Sequence, residues 1–224
     1  MHILAHRGNT AGPLPRAENS LEACRGALDL GFGLETDIRR AGGGLYLSHD
    51  PVAPAPRNAA GLHAALWREF PAARIALNVK ELGYEEELIE FLAAERVARQ
   101  VFLFDLELLE EVRGRAAKRF RELASNIRIA ARVSDRGETV EGALAIEAAD
   151  IIWLDEFDGP WARGADVARL KAAGKKVYAV SLDLHGFSVD EAARRWRDFI
   201  RWDADGICTD WPIRLREVLR DRPG

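Results

Sequence analysis

Short apolar runs of strand type alternate with helix-type patterns along the whole chain, and this alternation constrains the fold more than any other feature. The runs expected to form strands cover residues 3–5, 32–38, 73–79, 101–104, 127–131, 151–154, 176–180 and 206–208. Strands that alternate with helices are typical of a parallel sheet covered by helices. Eight such units within 224 residues predict a closed (β/α)8 barrel, because single domains of that fold commonly have about this length.

The main alternative is an open, doubly wound sheet. Sheets of that kind that bind dinucleotides carry a glycine-rich fingerprint directly after the first strand. Here the first strand is followed by His6-Arg7-Gly8, which lacks the fingerprint, so the barrel is favoured. The sequence contains no linker or low-complexity segment, and 48% of its residues are hydrophobic. Residues 1–224 are therefore expected to form one domain.

Local signals predict the limits of several connecting segments. Asn19, with Glu22 three residues later, has the pattern of a capping box that begins the first helix. Longer helices are expected over residues 106–123 and 138–148. Three prolines between residues 51 and 61 predict a loop.

Composition and charge argue against several classes of partner and site. The formal net charge of −4 gives no general attraction to nucleic acid or to an anionic membrane. No apolar run approaches the roughly 18 residues of a membrane span, and the first residues lack the pattern of a signal peptide. Cys24 and Cys208 are isolated, which argues against a disulfide framework or a thiolate metal site. We expect a cytoplasmic protein without a membrane span, and the sequence does not indicate its oligomeric state.

Two carboxylates, Glu35 and Asp37, lie at the end of the second predicted strand. Side chains two residues apart on a strand point to the same face, so both can face one cation. Oxygen ligands suit Mg²⁺, Ca²⁺ or Mn²⁺ better than zinc or copper. Two carboxylates that face the same way repel each other unless something cationic lies between them, which favours a metal over structural salt bridges. His6 and His49 also end extended segments, and near such a metal they are suited to act as general base and general acid.

Four short motifs within the first fifty residues resemble those of the glycerophosphodiester phosphodiesterases. They are His6-Arg7-Gly8, Ala17-Glu18-Asn19-Ser20, Glu35-Thr36-Asp37 and His49-Asp50. The chain departs from the family pattern at Ala17 and Ser20, where the family has proline and threonine. Near the end, Thr209-Asp210-Trp211-Pro212 is similar to the family's closing Thr-Asp-x-Pro. The resemblance, within the phosphatidylinositol-phospholipase-C-like phosphodiesterases, thus extends over nearly the whole chain.

This resemblance implies a barrel enzyme that cleaves a small-molecule glycerophosphodiester to an alcohol and a phosphomonoester. One divalent cation, Mg²⁺ or Ca²⁺, would be held by Glu35 and Asp37. His6 and His49 would exchange the protons, in an order that the sequence leaves open. Arg7 and Lys80 would stabilise charge on the phosphorus oxygens. The attacking group would be either a neighbouring hydroxyl of the substrate, which gives a cyclic phosphate, or a water held by the metal.

The third metal ligand departs from the family pattern. Asn78-Val79-Lys80 aligns with a third-strand motif in which a carboxylate and a lysine stand two residues apart. Lys80 matches that motif, whereas Asn78 takes the place of the carboxylate. An amide oxygen can bind a hard cation but adds no charge, so the metal is expected to be held more weakly. Asp105 and Asp155 are candidate substitutes for the missing carboxylate.

Five further residues are expected to line the substrate pocket: Glu18, Asp105, Asp155, His185 and Trp211. Most of them follow predicted strands, and in a barrel the carboxyl ends of the strands form the active-site face. The competing interpretations are a helix cap at Asp105, a solvent-exposed helix start at Glu18, and ordinary loop positions for Asp155 and His185.

Two other functions fit parts of the sequence. The missing third carboxylate, and nothing else, favours a phosphoester-binding barrel that lacks catalysis. An unrelated metal-dependent barrel enzyme, such as an amidohydrolase or a sugar isomerase, is also compatible with the fold. Amidohydrolases usually carry His-x-His after the first strand, where this chain has His6-Arg7-Gly8, and this argues against them.

Overall fold

The computed structural model describes residues 1–51 and 58–221. The strands in this part of the chain are β1 (His2–His6), β2 (Gly33–Ala41), β3 (Gly44–Leu47), β4 (Ile75–Val79), β5 (Val101–Phe104), β6 (Arg128–Ser134), β7 (Ile151–Asp155), β8 (Lys176–Val180) and β9 (Gly206–Thr209). The helices are α1 (Leu21–Asp29), α2 (Ala60–Glu69), α3 (Glu85–Ala94), α4 (Arg115–Leu123), α5 (Val140–Leu144), α6 (Gly164–Ala172), α7 (Val189–Arg201) and α8 (Pro212–Arg220). Two 3₁₀ turns, Leu106–Leu108 and Leu182–His185, follow β5 and β8.

The strands close into a barrel. β1 pairs in parallel with both β2 and β9, and the remaining parallel pairs join β2 through β4, β5, β6, β7 and β8 to β9. β3 is antiparallel to β2 and returns the chain to the same end of the barrel. The predicted single-domain (β/α)8 barrel is therefore confirmed, and the open sheet is excluded because the first and last strands are paired.

Apolar side chains fill the interior of the barrel. Phe102, Phe104, Trp153 and Tyr178 are buried there, and the rings of Phe104 and Trp153 lie 4.3 Å apart between centroids. A second apolar layer packs between the outside of the strands and the helices. Because the interior is filled, a ligand can reach the barrel only at its ends, and the carboxyl ends of the strands carry the polar residues described below.

The helices differ from the sequence-based expectation in three places. α2 lies where no element was predicted, and it has no side-chain cap that would mark its start. The helix expected over residues 106–123 is a 3₁₀ turn followed by α4, which begins after Gly114 in the left-handed conformation. The helix expected over 138–148 is the five-residue α5. Most of the predicted loop at 51–61 falls outside the described residues.

Membrane-spanning helices were not expected, and over residues 1–51 and 58–221 no helix combines the length and the apolar character that a span requires.

Candidate active site

Each parallel strand of the barrel places a polar side chain at its carboxyl end. The contributors are His6 (β1), Glu35 and Asp37 (β2), Asn78 and Lys80 (β4), Asp105 (β5), Arg132 (β6), Asp155 (β7), His185 (β8) and Asp210 (β9). Hydrogen bonds and ion pairs join neighbours around most of this ring. We call His6, Arg7, Glu35, Asp37 and Lys80 the β1–β4 side of the mouth. Asp105, Arg132, Asp155 and His185 form the β5–β8 side.

His6 lies between two carboxylates. Its Nδ1 is 2.7 Å from Oδ1 of Asp210, and its Nε2 is 3.8 Å from Oε2 of Glu35. Asn9 donates from Nδ2 to the same Asp210 oxygen at 2.7 Å. Burial lowers the pKa of His6, but the hydrogen bond to Asp210 and the charge of Glu35 outweigh burial and raise it overall. The contact through Nδ1 fixes the ring and leaves Nε2 to exchange a proton at the mouth.

Arg7 is oriented by the loop that follows β1. Its Nη1 donates to Oε2 of Glu18 at 2.9 Å. Arg7 has a φ of 49°, a left-handed conformation that is uncommon for residues other than glycine. Gly8 then packs so closely on α1 that an added Cβ would lie 2.8 Å from the backbone of Ala23. The glycine of His6-Arg7-Gly8 is thus required by packing, and Glu18 orients the arginine.

Asp37 is fully buried and is surrounded by nitrogen atoms. Arg7 Nε lies 3.2 Å from Oδ2, and Lys80 Nζ lies 3.3 Å from Oδ1. Asn19 donates from Nδ2 to Oδ2 at 2.9 Å. Arg7 and Lys80 together balance the two negative charges of Glu35 and Asp37. The sequence argument for a metal was that two carboxylates facing the same way need a cation between them. Arg7 and Lys80 supply that positive charge, so structural ion pairs are present at this site.

Asn19 belongs to the site and does not cap the helix that follows it. Ser20 is the N-cap of α1, and its side chain accepts a hydrogen bond from the backbone nitrogen of Ala23. Asn19 has a φ of 57°, and its Oδ1 accepts from Oγ1 of Thr36 at 2.6 Å. The predicted cap at Asn19 is wrong because these side-chain bonds hold it in the barrel mouth.

Two carboxylate oxygens on the β1–β4 side remain available to a cation. Oε2 of Glu35 and Oδ1 of Asp37 are buried and make no hydrogen bond within the described residues. Burial and the charge of Asp37 raise the pKa of Glu35 to about 7. These two oxygens fit a hard divalent cation, which prefers oxygen ligands. No group of three or more His, Cys, Asp or Glu side chains in the described ranges could hold a metal by itself.

Asn78 offers one oxygen to such a cation. Its Nδ2 donates to Oδ2 of Asp105 at 3.0 Å, so only its carbonyl oxygen is available as a ligand. With Lys80 already beside Asp37, a cation here would gain little net attraction. The roles of Glu35, Asp37 and Asn78 as metal ligands stay a prediction, and weak binding is expected.

A buried arginine bridges the β5–β8 side of the mouth. Arg132, whose side chain is 5% exposed, donates from Nη1 to Asp105 and from Nη2 to Asp155. The second oxygen of Asp105 accepts from Asn78, and the second oxygen of Asp155 lies 2.5 Å from Nε2 of His185. All four oxygens of the two aspartates are therefore engaged. Neither aspartate has an oxygen free to replace the missing third carboxylate.

His49 lies at the rim of the mouth. Its side chain is 43% exposed, and its Nδ1 is 2.8 Å from Oδ1 of the exposed Asp50. Arg39 holds the segment by donating two hydrogen bonds to the backbone oxygen of His49. His49 lines the same cavity as Arg7 and Glu18. It thus faces the guanidinium side of the site, and its catalytic role stays a prediction.

Trp211 covers the loop that carries Asn9. A Cβ added to Gly12 would lie 2.9 Å from the indole ring, so the ring packs directly on the loop backbone. The backbone of this loop is also joined to the end of β9, because Gly12 donates to the oxygen of Asp210 at 2.8 Å. Trp211 thereby holds the loop near His6, and contact with a substrate stays a prediction.

The adjacent carboxylates of Asp155 and Glu156 face different parts of the molecule. Asp155 faces the mouth, whereas Glu156 is fully buried and pairs with Arg195 of α7. Successive side chains of a strand point to opposite faces, and this separates them. Only Asp155 of the pair belongs to the pocket.

Arg132 and Asn9 were not identified from the sequence as site residues. Arg132 is a charge inside β6, with apolar residues on both sides of it, and that was the available signal. Asp210, in the closing Thr-Asp-x-Pro motif, was expected at the carboxyl ends of the strands, but its pairing with His6, 204 positions away, was not. Asn9 carries no comparable signal in the sequence.

Comparison with known proteins relates this fold to several groups of solved barrels. No family model matches the sequence, and no curated protein matches it. The fold is nevertheless shared with solved glycerophosphodiester phosphodiesterases at TM-scores near 0.7. The similarity shows the fold, because the sequence identities lie between 14% and 18%.

Three solved structures illustrate the match. A glycerophosphodiester phosphodiesterase from Parabacteroides distasonis has a TM-score of 0.69 and 14% identity, over 99% of this chain and 97% of that one. A glycerophosphoryl diester phosphodiesterase from the same organism has a TM-score of 0.70 and 18% identity, over 98% of this chain and 86% of that one. An Oleispira antarctica phosphodiesterase, in complex with the product sn-glycerol-3-phosphate, has a TM-score of 0.70 and 17% identity, over 99% and 97%.

Proposed function

We propose that the mouth of this barrel hydrolyses a glycerophosphodiester to an alcohol and a phosphomonoester. The observation that carries the proposal is the arrangement of the β1–β4 side, where Arg7 and Lys80 flank Asp37 and His6 lies beside Glu35. The two cations suit the binding of an anionic phosphodiester. The histidine, fixed by a carboxylate, suits the removal of a proton from the attacking oxygen. The shared fold with solved phosphodiesterases supports the same activity.

The residues of this chain have distinct tasks in the proposed reaction. Arg7 and Lys80 bind the phosphoryl oxygens and stabilise the charge that develops on them. Asp37 and Glu18 hold the Arg7 guanidinium in place before the substrate arrives. His6 accepts the proton of the attacking oxygen at Nε2, while Asp210 keeps the ring oriented through Nδ1.

We also propose a divalent cation, Mg²⁺ or Ca²⁺, for this site. Glu35 and Asp37 would hold it through the two oxygens that make no hydrogen bond, with the carbonyl oxygen of Asn78 as the third ligand. When bound, the cation adds positive charge for the phosphoryl oxygens and helps to orient the attacking group. We assign the second proton transfer to His49, because its His49-Asp50 motif resembles that of the phosphodiesterases.

The proposal is tested by following glycerophosphocholine by ³¹P NMR with the wild-type chain. We expect a phosphomonoester to appear, and His6→Ala to slow its formation by roughly 10²–10⁴-fold. His2→Ala is the matched control, because His2 lies on the same strand at the opposite end of the barrel and stacks near Tyr178. It should retain the wild-type rate. If glycerol phosphate binds but the wild type forms no product, the phosphoester-binding barrel is the correct interpretation.

A further inference from the structure

The end of the barrel opposite to the mouth carries a layer of basic side chains. Side chains that face the interior of such a barrel lie in layers of four, and each layer takes its members from alternate strands. One interior layer consists of Leu4, Ala76, Ala130 and Tyr178, which are buried together. Two positions earlier in each of these segments, the layer at the amino end consists of His2, Arg74, Arg128 and Lys176. Every member of this layer has a basic side chain.

Two members of this basic layer meet at one point. Arg74 donates from Nη1 to the backbone oxygen of Arg99 at 3.0 Å, and Arg128 donates from Nη2 to the same oxygen. A guanidinium has five N–H donors, and within the described residues each of these two side chains uses one of them. Burial lowers the pKa of Arg128, and the charge of Arg74 lowers it further. The shared carbonyl oxygen thus holds two cations together without neutralising either.

The other two members lie beside the same tyrosine. The ring of His2 stacks with that of Tyr178, with centroids 6.0 Å apart. Lys176 comes two positions before Tyr178 on β8 and therefore shares its face of the strand. Burial lowers the pKa of His2, and the charges of Arg74 and Lys176 lower it further. His2 is therefore neutral at neutral pH, and the positive charge of the layer comes from Arg74, Arg128 and Lys176.

The carboxylates whose charge reaches this layer, Asp150 and Asp205, are engaged elsewhere. Asp150 pairs with Arg121 of α4. Asp205 accepts a hydrogen bond from the backbone nitrogen of Val177 at 2.9 Å. Over residues 1–51 and 58–221, no ion pair joins a carboxylate to any of the three cations of the layer. Like charges held this close repel each other, so an anion at this position would stabilise them.

We infer that the basic layer binds a small phosphate-bearing anion, such as inorganic phosphate or a phosphomonoester, at the amino end of the barrel. This site is separate from the mouth, so the inference goes beyond the proposed function. A tetrahedral oxyanion presents oxygens in several directions, which suits cations that converge from three strands. Arg74 and Arg128 are half-buried, whereas His2 and Lys176 are exposed. The layer is therefore open to an anion from solvent.

The test follows the imidazole signals of His2 and His6 by NMR while inorganic phosphate is added. The signals are identified with His2→Ala and His6→Ala, so that His2 reports on the amino end and His6 on the mouth. An ionic strength held at about 0.1 M screens distant charges. We expect the His2 signal to shift and to saturate. Lys176→Met should raise the Kd obtained from this signal by about tenfold, because one charged contact to phosphate is lost.

Lys175→Met is the matched control, because it removes the same charge at the adjacent position, where the side chain donates to the backbone oxygen of Ala149. It should change the Kd by less than about twofold, since a screened neighbouring charge contributes little. Arg74→Met, on another strand, should weaken binding as Lys176→Met does. Equal effects of Lys175→Met and Lys176→Met, or a His2 signal that does not saturate, would overturn the site. A phosphate-induced shift of the mouth histidine alone would overturn it while leaving the proposed function intact.

Discussion

The two sides of the barrel mouth are built from the same kinds of side chain but differ in what they leave unpaired. On the β1–β4 side, Oε2 of Glu35 and Oδ1 of Asp37 are buried without a hydrogen bond. On the β5–β8 side, every carboxylate oxygen of Asp105 and Asp155 has a partner. A buried acceptor without a hydrogen bond is unfavourable, so these two oxygens favour the uptake of a cation or a hydrogen-bond donor, whereas the carboxylates of the second side are complete without one.

This difference assigns different tasks to the two sides. Arg7 and Lys80 suit the β1–β4 side to receive a phosphoryl group, and its two carboxylate oxygens suit it to receive a cation. The β5–β8 side is suited to hold His185 rigidly. The mouth as a whole also differs from the rest of the fold in its backbone. Five non-glycine residues of the described chain have a positive φ, and three of them, Arg7, Asn19 and Asp105, lie at the mouth. Strained residues concentrate at functional sites.

The largest expected effect comes from removing the bridge on the complete side. Arg132→Met leaves Asp105 and Asp155 buried with no cation between them. We expect the free energy of unfolding, measured with urea, to fall by about 3–5 kcal/mol, because breaking a buried ion pair leaves an uncompensated charge inside the protein.

Arg136→Met is the matched control for that prediction. Arg136 also lies over the Phe157 ring, at 4.1 Å compared with 4.9 Å for Arg132, but it pairs with the exposed Asp158. It should cost less than about 1 kcal/mol. Equal losses in the two variants would show that the β5–β8 side is not held by its buried ion pairs.

A second prediction concerns Lys80 on the incomplete side. Lys80→Met removes a positive charge 3.3 Å from Oδ1 of Asp37. Turnover of a phosphodiester should fall by about 10²–10³-fold, because a group that stabilises charge on phosphorus is lost. Affinity for Mg²⁺ or Ca²⁺, measured by calorimetry, should rise at the same time, since Lys80 no longer competes for Asp37.

Lys118→Met serves as the control, because Lys118 is 78% exposed on α4. It should change neither turnover nor cation affinity. A lower cation affinity in Lys80→Met would mean that Lys80 supports the metal site rather than competing with it.

A smaller effect is expected from Glu107, which accepts a hydrogen bond from the backbone nitrogen of Arg132. Burial raises the pKa of Glu107 to about 7. The folded protein thus holds this proton more tightly than the unfolded chain does, so the contribution of Glu107 to stability is full below about pH 4.5 and is lost as the pH rises to about 7. Glu107→Gln removes this loss, and we expect it to stabilise the fold by roughly 1–3 kcal/mol at pH 8 but not at pH 4.

The measurement is chemical unfolding at both pH values, with the exposed Glu111→Gln as the control. A gain that is the same at pH 4 and pH 8 would exclude titration of Glu107 as its cause.

Strand periodicity accounts for most of what the sequence predicted. Alternation placed Glu35 and Asp37 on one face, and the register with β1 and β4 brings them beside His6 and Asn78. The same rule separates Asp155 from its neighbour Glu156. The order of strands and helices predicted the barrel because nearly every strand was visible as an apolar run.

Long-range pairing accounts for what the sequence could not show. The bond from His6 to Asp210 spans 204 positions, and that from Asp155 to His185 spans 30. A histidine in a loop has the same local sequence whether its partner is buried or exposed, so the difference between the partners of His49 and His185 could not be predicted without the fold. Asn19 has the sequence of a cap, and only the closed barrel shows that its side chain is used by Asp37.

The central claim is that the β1–β4 side binds the phosphoryl group. A crystal structure of the chain with sn-glycerol 3-phosphate tests it most directly. We expect phosphate oxygens within about 2.7–3.2 Å of the Arg7 guanidinium and the Lys80 ammonium, with the β5–β8 side unchanged. A phosphate bound to Arg132 in place of Asp105 and Asp155, or bound only outside the mouth, would contradict the account.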